Sequence, residues 1–521
     1  MNFAEILDTA CARTPENVAL RFGEVELTYR ALDERIDRLA AALAASGVRP
    51  GEFVAVISSN SNAYLECVMA CARIGAVSEQ YNTRLSPLVI RQLLERSSAR
   101  IVLLSRGMYQ ALREQLDDLG REMTLVIAED PSDPAQTPQG AGALGKNVLW
   151  YEALLAAHEP LAARTPVDPD DPAVMLYTSG TTGMPKGVLL SHAALAWRIA
   201  TDAREMRFAS TDVLLCVLPL FHVTSMSAYV TFFVGAELVL APSRRAATVA
   251  RMLSEEGITR TALVPFLMRE LAEWAEAGEA EVPQLDYVVY GGEPADPALL
   301  SRFRRLFGCG LIEGYGMTET TSAITMLLPE HHEDPRLLST VGTVVPGMEI
   351  RLVDEDGADC PAGTCGEVLV KTPTLMLGYY RDPERTAAAI CDGWYRTGDI
   401  GMLDEQGFLT LVDRKNNLVI TGGENVYPLE VSRCILSMGE GAVRDAVVVG
   451  VPDPRWGETL AAFVVRAEGA QITEQDVIDW CATRIGSYKK PHKVVFVESL
   501  MRSPSGKIPK KYLTSLIDVL G

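Results

Sequence analysis

A segment rich in glycine and hydroxyl side chains lies between an apolar run, Ala173–Leu176, and a helix-like stretch that begins at Ser191. Glycine lets the backbone turn sharply and present successive N–H groups to one anion. The spacing differs from the GxxxxGK[ST] phosphate loop, and an ordinary flexible turn is the alternative. We interpret the segment as a cradle for a polyphosphate, formed by Thr178, Ser179, Gly180, Thr181, Thr182, Gly183 and Lys186.

Helix and strand patterns alternate along the chain on both sides of this loop. Thr28 can cap a helix whose apolar residues recur every three or four positions, and Gly47 can end it. Buried strands are predicted at 53–57, 213–217 and 287–290. Such alternation is typical of α/β architecture, in which helices join the strands of a sheet.

The chain is too long for one hydrophobic core, and its pattern of predicted strands and helices changes towards the C-terminus. Its 521 residues exceed the usual size of a single domain. Beyond residue 414, short strands accompany a helix predicted at 474–485, which is typical of a small α+β domain. We therefore expect a large N-terminal α/β domain with several subdomains, 1–413, and a smaller C-terminal α+β domain, 414–521.

These two parts differ in charge. The whole chain carries 48 Lys and Arg residues against 68 Asp and Glu residues, a net charge of −20. Residues 414–521 contain 14 basic and 12 acidic residues, a net of +2, which leaves 34 − 56 = −22 for the rest. A mildly cationic domain on an acidic body favours a ligand that bears phosphate, and chance variation of a surface is the alternative.

The composition excludes several classes of protein. Hydrophobic residues make up 48% and charged residues 22% of the chain, which is typical of a globular protein. The isoelectric point near 4.9 argues against a nucleic-acid partner. No apolar run reaches the roughly 20 residues that span a bilayer, and the first residues lack the cationic region of a secretory signal. We expect a cytoplasmic protein without a membrane span.

Further motifs follow the loop in a definite order, and they decide the interpretation. They are Glu313–Thr320, Trp394–Asp399, Val412–Asn416, Thr421–Pro428 and Ser503–Lys507. Together with the loop they resemble the AMP-forming adenylating superfamily, which includes acyl-CoA synthetases, coumarate-type ligases, luciferases and the adenylation domains of peptide synthetases. The resemblance extends over essentially the whole chain.

The resemblance implies a reaction in two steps. A carboxylic acid is first activated with MgATP to an acyl-adenylate and pyrophosphate, and the acyl group then passes to a thiol. The implied ligands are the acid, ATP, Mg²⁺ and coenzyme A or the phosphopantetheine of an acyl carrier protein. The resemblance also implies that the C-terminal domain is mobile and rotates about a hinge near 414–416, so that each step has its own pose.

The same resemblance assigns a nucleotide site. Glu319, with Thr178 as a second ligand, would bind Mg²⁺, and Thr318 would hydrogen-bond the α-phosphate. Asp399 would accept hydrogen bonds from both ribose hydroxyls. Arg414 would contact the ribose and phosphate from the other side of the domain boundary. Further ATP contacts would come from Gly291, Gly292, Glu293, Glu313, Gly314, Tyr315, Gly316 and Met317. Many acyl-CoA synthetases have alanine in place of Glu293, so we expect the wall of the adenine pocket to differ here.

Two segments of the C-terminal domain would act in turn. Lys507 would offset negative charge in the first step, as the catalytic lysine of the resemblance. Gly422, Gly423 and Glu424 would line a channel for the pantetheine arm in the second step. The phosphates of CoA would meet Arg455, Lys489 and Lys490.

The acyl pocket is expected near a histidine. His222 would gate or steer the acid as a catalytic residue, and a satisfied core histidine is the alternative. The proposed lining is His222, Val223, Met226, Ser227, Gly316 and Met317. Relatives that activate amino acids place an aspartate near Val223, and its absence here disfavours a substrate with an ammonium group. Gly316 stands where acetate-specific relatives carry tryptophan, which predicts room for a larger acid.

Four functions remain open from the sequence. We favour an acyl-CoA synthetase for a medium-length, aromatic or otherwise apolar acid. The second is a free-standing adenylating enzyme that loads a carrier protein, and the third is a nucleotide-binding regulator without activity. The fourth is an oxygenase activity of the luciferase kind, because luciferases share these motifs. The pair His331 and His332 is predicted to be solvated surface.

Overall fold

The structure is a computed structural model. It describes residues 2–117, 119, 122–128, 147–178, 184–278, 282–293, 295–421, 424–439, 441–453, 456–502 and 508–518. Among the helices in these ranges, none has both the length and the apolar character needed to cross a membrane.

The strands and helices of the large domain alternate as the sequence predicts. In chain order the strands are β1 (Val18–Phe22), β2 (Val25–Thr28), β3 (Phe53–Ile57), β4 (Val77–Gln80), β5 (Ile101–Ser105), β6 (Thr124–Ala128), β7 (Val148–Trp150), β8 (Pro172–Thr178), β9 (Lys186–Ser191), β10 (Val213–Cys216), β11 (Glu237–Leu240), β12 (Arg260–Leu263), β13 (Tyr287–Gly291), β14 (Gly310–Met317), β15 (Ser322–Leu327), β16 (Thr343–Val344), β17 (Glu349–Val353), β18 (Cys365–Lys371), β19 (Gly378–Tyr379), β20 (Ile390–Cys391), β21 (Trp394–Leu403) and β22 (Leu409–Arg414).

The helices of the same domain lie mostly between consecutive strands. They are α1 (Asp8–Arg13), α2 (Tyr29–Ala45), α3 (Asn62–Arg73), α4 (Pro87–Arg96), α5 (Arg106–Asp117), α6 (Tyr151–Ala156), α7 (His192–Glu205), α8 (Ser227–Val234), α9 (Ala246–Glu255), α10 (Pro265–Ala277), α11 (Pro297–Phe307) and α12 (Pro383–Ala389). Short 3-10 turns occur at Phe3–Glu5, Val223–Met226, Thr318–Thr320 and Pro329–Glu333.

Two mostly parallel sheets form the body of the large domain. One has the strand order β16-β15-β14-β13-β12-β10-β11-β1-β2, and the other has the order β19-β9-β8-β4-β3-β5-β6-β7. The order β17-β18-β21-β20, with β22 beside β21, gives a third sheet that is antiparallel. Loops that follow the carboxyl ends of parallel strands are the usual place for a ligand in such folds.

The C-terminal domain has a sheet of its own. Its strands are β23 (Val419–Thr421), β24 (Glu424–Val426), β25 (Val443–Asp453), β26 (Gly457–Arg466) and β27 (Lys493–Phe496), and its helices are α13 (Pro428–Leu436), α14 (Glu474–Arg484) and α15 (Lys510–Asp518). Helices α13 and α14 pack on one face of this sheet and α15 on the other. The prediction of a large α/β domain with a smaller C-terminal domain is confirmed.

Local sequence signals explain the predicted first helix. The Thr28 hydroxyl accepts a hydrogen bond from the Ala31 amide at 3.2 Å and caps α2. The apolar stripe of α2 is buried, and its members are Leu32, Ile36, Leu39 and Leu43. Gly47 adopts a φ of +88° just beyond the helix, a conformation that side chains rarely adopt. The spacing of apolar residues therefore predicted both the helix and its buried face.

The connection between the two domains is short and tied to one carboxylate. Strand β22 ends at Arg414, a 3-10 turn covers Lys415–Asn417, and β23 begins at Val419. The Asp413 carboxylate accepts the amide N–H of Arg414 at 2.6 Å and that of Leu429 at 2.7 Å. It thus joins the end of the large domain to the start of α13. The domain boundary at 413/414 and the hinge near 414–416 stay predictions.

Candidate active site

Strands β8 and β9 form a hairpin whose connecting loop is the predicted cradle. Thr178 pairs with Lys186 at the end of this hairpin. Between them, Ser179, Gly180, Thr181, Thr182 and Gly183 lie outside the described residues. The Thr178 hydroxyl is buried and has no hydrogen-bond partner among the residues that the structure describes. A buried polar atom without a partner is costly, and a ligand that supplies one removes that cost.

The strand that leads into this loop is anchored by a buried carboxylate. The hydroxyl of Tyr177 donates to Glu79 Oε1 at 2.6 Å, and the hydroxyl of Tyr81 donates to the same atom at 2.7 Å. Ser97 donates to the other oxygen of Glu79. Glu79 lies in β4, the neighbour of β8, and is completely buried. These contacts fix the backbone just before Thr178, and sequence reasoning did not single out Glu79.

Lys186 and Glu319 come together with Tyr379 at the end of the hairpin. The Tyr379 hydroxyl donates to Glu319 Oε1 at 3.0 Å and lies 3.3 Å from Lys186 Nζ. The Lys186 ammonium stands 3.9 Å from Glu319 Oε1 and 4.4 Å from the centre of the Tyr379 ring. Burial lowers the pKa of Lys186, and the charge of Glu319 opposes that fall. The structure thus brings two predicted site residues together around a tyrosine.

Sequence reasoning missed Tyr379 because its position depends on a distant pairing. Strand β19, Gly378–Tyr379, pairs with β9, so that Tyr379 stands opposite Val188. No local pattern places this residue beside the loop. Its contact with the Lys186 side chain becomes visible only when the sheet is assembled.

The residues at this place fit a single Mg²⁺ ion that is shared with phosphate. In the described part of the chain, no group of three or more His, Cys, Asp or Glu side chains could hold a metal without other ligands. Mg²⁺ commonly uses one or two carboxylates together with water and phosphate oxygens. The carboxylate of Glu319 and the unpaired hydroxyl of Thr178 provide that kind of donor set. Thr318, the first residue of the same 3-10 turn as Glu319, is half-buried.

A second cluster joins two of the predicted motifs to the domain boundary. The Tyr315 hydroxyl donates to Asp399 Oδ2 at 2.7 Å, and Arg414 Nε lies 3.0 Å from Asp399 Oδ1. Strands β21 and β22 pair Asp399 directly with Arg414. Burial, and then the charge of Asp399, raises the pKa of Tyr315 well above its usual value. Three residues predicted for the adenosine part of ATP therefore contact one another.

Backbone packing explains two of the predicted glycines. Gly291 pairs with Gly314 in neighbouring strands, and a Cβ on Gly291 would lie 2.4 Å from the Gly314 carbonyl oxygen. A Cβ on Gly316 would lie only 1.9 Å from the carbonyl oxygen of Ser322. A side chain at position 316 would therefore be directed at the backbone of β15. This corrects the expectation that its absence opens room for the acid, because that direction is already filled.

Glu313 points into the interior and not towards this cluster. It accepts a hydrogen bond from the Tyr290 hydroxyl at 3.2 Å, and that hydroxyl lies 2.9 Å from His332 Nε2. Burial raises the pKa of Glu313 to about 8, and the Tyr290 hydrogen bond opposes that rise. His332 is 3% exposed, and burial lowers its pKa to about 4. The prediction that His332 is solvated surface is wrong, because the turn Pro329–Glu333 folds it inwards.

Glu293 makes contacts that the resemblance did not predict. One of its oxygens accepts the Phe266 amide N–H at 2.9 Å, and the other lies 2.8 Å from Arg502 of the C-terminal domain. Gly292, just before it, has a φ of +83°. The residue predicted for the adenine wall therefore also contacts the small domain.

The proposed acyl residues lie where β10 leads into α8. His222 precedes the 3-10 turn Val223–Met226, and its ring centre lies 4.7 Å from that of Phe221. Asn60 holds the preceding segment, since its side chain bonds the Leu218 carbonyl at 2.9 Å and the Leu220 amide at 2.8 Å. Val223, Met226 and Ser227 are buried, and Met317 packs on the same hydrophobic cluster as Val223 and Met226.

The residues predicted for CoA are only partly described. Gly422, Gly423 and Arg455 lie outside the described residues, as does the side chain of Glu424, whose backbone begins β24. Lys507 also lies outside them. Lys489 Nζ is 2.6 Å from Glu430, so its charge is already paired within the small domain. Lys490 is half-buried.

Comparisons with known proteins place this arrangement in a family. The model of the AMP-binding enzyme family matches residues 7–380, and that of the AMP-binding enzyme C-terminal domain matches residues 437–507. The chain is 35% identical over 521 residues to an indoleacetate–CoA ligase of Aromatoleum aromaticum, covering 99% of this chain and 98% of that protein. It is 33% identical to a fatty acid–[acyl-carrier-protein] ligase of Streptomyces coeruleorubidus, covering 94% and 91%.

The fold is similar to that of a solved structure over the full length of both chains. The ATP-bound structure of MatB from Rhodopseudomonas palustris has a TM-score of 0.86 and 28% identity, with 100% of both chains covered. The chain therefore belongs to the AMP-binding enzyme family and is an AMP-forming acid–thiol ligase of the acyl-adenylate superfamily.

Proposed function

We infer that this chain is an acyl-CoA synthetase for an apolar or aromatic carboxylic acid. In the first step, a carboxylate oxygen of the acid bonds to the α-phosphorus of ATP, and the bond to the bridging oxygen breaks to release pyrophosphate. In the second step, the thiol of CoA loses its proton to solvent, its sulfur bonds to the acyl carbon, and AMP leaves with the oxygen that had joined it to that carbon. The names of its relatives as CoA ligases support this assignment.

The observation that carries the proposal is the contact of Lys186, Tyr379 and Glu319 at the end of the hairpin where Thr178 pairs with Lys186. The buried hydroxyl of Thr178 has no partner among the described residues. Lys186 would balance the charge of the β- and γ-phosphates, as lysines at phosphate loops do. Tyr379 orients the carboxylate of Glu319 by its hydrogen bond. Mg²⁺, when bound by Glu319 and Thr178, would reduce the negative charge of the triphosphate that the carboxylate must approach.

Asp399 and Tyr315 would hold the adenosine part of ATP. A carboxylate offers two oxygens that accept both ribose hydroxyls. Tyr315 and Arg414 each contact one oxygen of Asp399 and thereby orient its carboxylate. Arg414 ends β22 and would carry this contact to the boundary of the small domain.

Lys507 would supply positive charge between the attacking carboxylate and the α-phosphate. Removing one such donor commonly lowers a rate about 10²- to 10³-fold. We therefore expect Lys507→Ala to abolish acyl-adenylate formation and to leave thioester formation from supplied acyl-adenylate largely intact. Single-turnover assays of the two steps measure this, and an equal loss in both contradicts separate poses for the two steps.

The acyl segment supports an acid without a positive charge. Val223 and Met226 are buried and apolar, and an ammonium group placed among such side chains without a partner would be costly. His222 lies at the start of this segment and is proposed to steer the carboxylate. Pyrophosphate release measured over a panel of aliphatic, aromatic and amino acids tests the acid class. Activity confined to amino acids would contradict it.

The acceptor is tested separately, because one relative is named as an acyl-carrier-protein ligase. With the best acid of the panel, the enzyme is given either free CoA or a holo carrier protein, and the thioester is detected by mass spectrometry. We expect acyl-CoA. If CoA gives only background thioester while the carrier protein is acylated, the chain is a carrier-loading enzyme.

A further inference from the structure

One ion pair crosses between the two domains beside the expected adenine wall. Arg502 Nη1 lies 2.8 Å from Glu293 Oε2, and the Glu293 side chain is only 6% exposed. Arg502 is also held within its own domain, because Asp445 Oδ1 lies 2.7 Å from its Nη2 and Asp445 Oδ2 lies 3.0 Å from its Nε. A guanidinium with two carboxylate partners has little freedom, so Arg502 links the domains in a defined geometry.

A second ion pair crosses the same interface and differs in burial. Arg444 Nη2 lies 3.1 Å from Glu273 Oε2 at the side of α10, and these two side chains are 52% and 42% exposed. Exposed pairs of this kind contribute little, whereas a partly buried pair with further hydrogen bonds is costly to break. Of these two described ion pairs, the pair of Glu293 with Arg502 should therefore stabilise the contact between the domains more than the pair of Glu273 with Arg444.

These contacts show which end of the small domain faces the large one. Arg444 and Asp445 lie at the start of β25, and Asp453 at its end pairs with Gly457, which also pairs with Thr421. At about 3.4 Å per residue, these two ends of β25 are about 27 Å apart. The end with Thr421 leads into the segment expected for the CoA channel. The end that contacts Glu293 leads, through Arg502, into the segment of Lys507.

Chain length sets how far Lys507 can be from this contact. The five residues from Arg502 to Lys507 can extend over at most about 18 Å. Glu293 follows Gly291 and Gly292, which belong to the expected adenine wall. A contact between Glu293 and Arg502 thus keeps the start of the Lys507 segment close to the expected adenine wall.

We propose that Glu293 and Arg502 are positioning residues that hold the small domain in the pose for acyl-adenylate formation. This inference rests on the proposed function, in which Lys507 acts in the first step only. The ion pair would form when the Lys507 segment faces ATP and would break when the domain turns for the second step. Phe266 keeps Glu293 in place, because its amide N–H donates to the other oxygen of the carboxylate.

The test compares Glu293→Gln with Glu273→Gln, which removes the exposed crossing pair as a matched control. Each variant is assayed for single-turnover acyl-adenylate formation at saturating ATP and for thioester formation from supplied acyl-adenylate. We expect Glu293→Gln to slow the first step about tenfold, with a smaller effect on the second step and on the KM for ATP. Glu273→Gln should remain within about twofold of the unmodified enzyme.

A conservative variant at Glu293 distinguishes a loss of rate caused by lost positioning from one caused by lost folding. Glu293→Asp keeps the negative charge and should recover most of the lost rate, and thermal melting of every variant reports its stability. The proposal is overturned if Glu293→Gln and Glu273→Gln behave alike, if both steps slow equally, or if Glu293→Gln raises only the KM for ATP. It is also overturned if Glu293→Asp is as slow as Glu293→Gln. Absence of acyl-adenylate formation by the unmodified enzyme would instead contradict the proposed function itself.

Discussion

Glu313 and Glu319 belong to one motif, yet their side chains have different surroundings. Glu313 is enclosed in the interior, where Tyr290 donates to it and His332 lies behind Tyr290. Glu319 lies at the end of the β8–β9 hairpin, where it accepts a hydrogen bond from Tyr379 and faces the Lys186 ammonium. The first carboxylate belongs to a buried polar cluster of the sheet, and the second lies beside the predicted phosphate loop.

This contrast shows what membership of a motif can establish. A buried carboxyl with a pKa near 8 holds its proton at neutral pH and acts as a hydrogen-bonding group of the core. Glu319 lies at the end of the β8–β9 hairpin, and a single carboxylate can serve there as the protein ligand of a Mg²⁺ ion that also binds water and phosphate oxygens. The motif therefore contains one residue that is buried within the sheet and one that we propose as a ligand of the metal.

Among Glu319, Lys186 and Glu313, the largest effect is expected for Glu319. Glu319→Gln removes the charge that would hold Mg²⁺ and keeps the size of the side chain. We expect acyl-adenylate formation to fall about 10²- to 10³-fold, measured as pyrophosphate release. Glu355→Gln, on an exposed turn, is the control and should be silent. A loss of less than about tenfold for Glu319→Gln would place the metal elsewhere.

Lys186 should show an intermediate effect. Lys186→Met keeps much of the packing against Tyr379 and removes the charge that faces the phosphates. We expect the KM for ATP to rise and the rate to fall, together about 10- to 100-fold in kcat/KM. Lys371→Met changes an exposed lysine of β18 and should leave both parameters unchanged. If Lys186→Met and Lys371→Met changed kcat/KM for ATP equally, Lys186 would act only through its contribution to the net charge of the protein.

Glu313 should have the smallest effect on activity and a clear effect on stability. Burial raises the pKa of Glu313 to about 8, so the folded protein holds a proton that the unfolded chain has already lost. The free energy of unfolding therefore falls as the pH rises towards 8. Glu313→Gln should flatten this dependence between about pH 7 and pH 8, a range above the titration of most unfolded histidines, including His332.

Urea unfolding at several pH values measures this effect. Acyl-adenylate formation by Glu313→Gln should stay within about threefold of the unmodified enzyme, because the change removes no ligand group. A large loss of activity at unchanged stability would mean that Glu313 contacts the nucleotide after all. The two glutamates would then not differ as described.

Much of the fold could be predicted because its signals are local. The cap at Thr28 and the apolar stripe of α2 depend on residues within one helix. The contact of Asp399 with Arg414 follows from neighbouring strands that carry two of the motifs. Such features need only periodicity, turn residues and ordered motifs.

The features that the sequence did not reveal depend on distant contacts. Tyr379 reaches Glu319 only because β19 pairs with β9. His332 is buried because its turn folds against Tyr290, although its neighbours in sequence are polar. The direction of a Cβ at Gly316 depends on the backbone of β15. Periodicity cannot report such contacts, because each joins elements that are separated along the chain.

The most direct test of the account is a crystal structure with Mg²⁺ and a non-hydrolysable analogue of ATP. We expect phosphate oxygens within hydrogen-bonding distance of Lys186 Nζ, with Thr178 and Glu319 facing the metal and Glu313 in contact with neither the phosphates nor the metal. A triphosphate bound away from the β8–β9 hairpin, or a metal without Glu319 among its ligands, would contradict it.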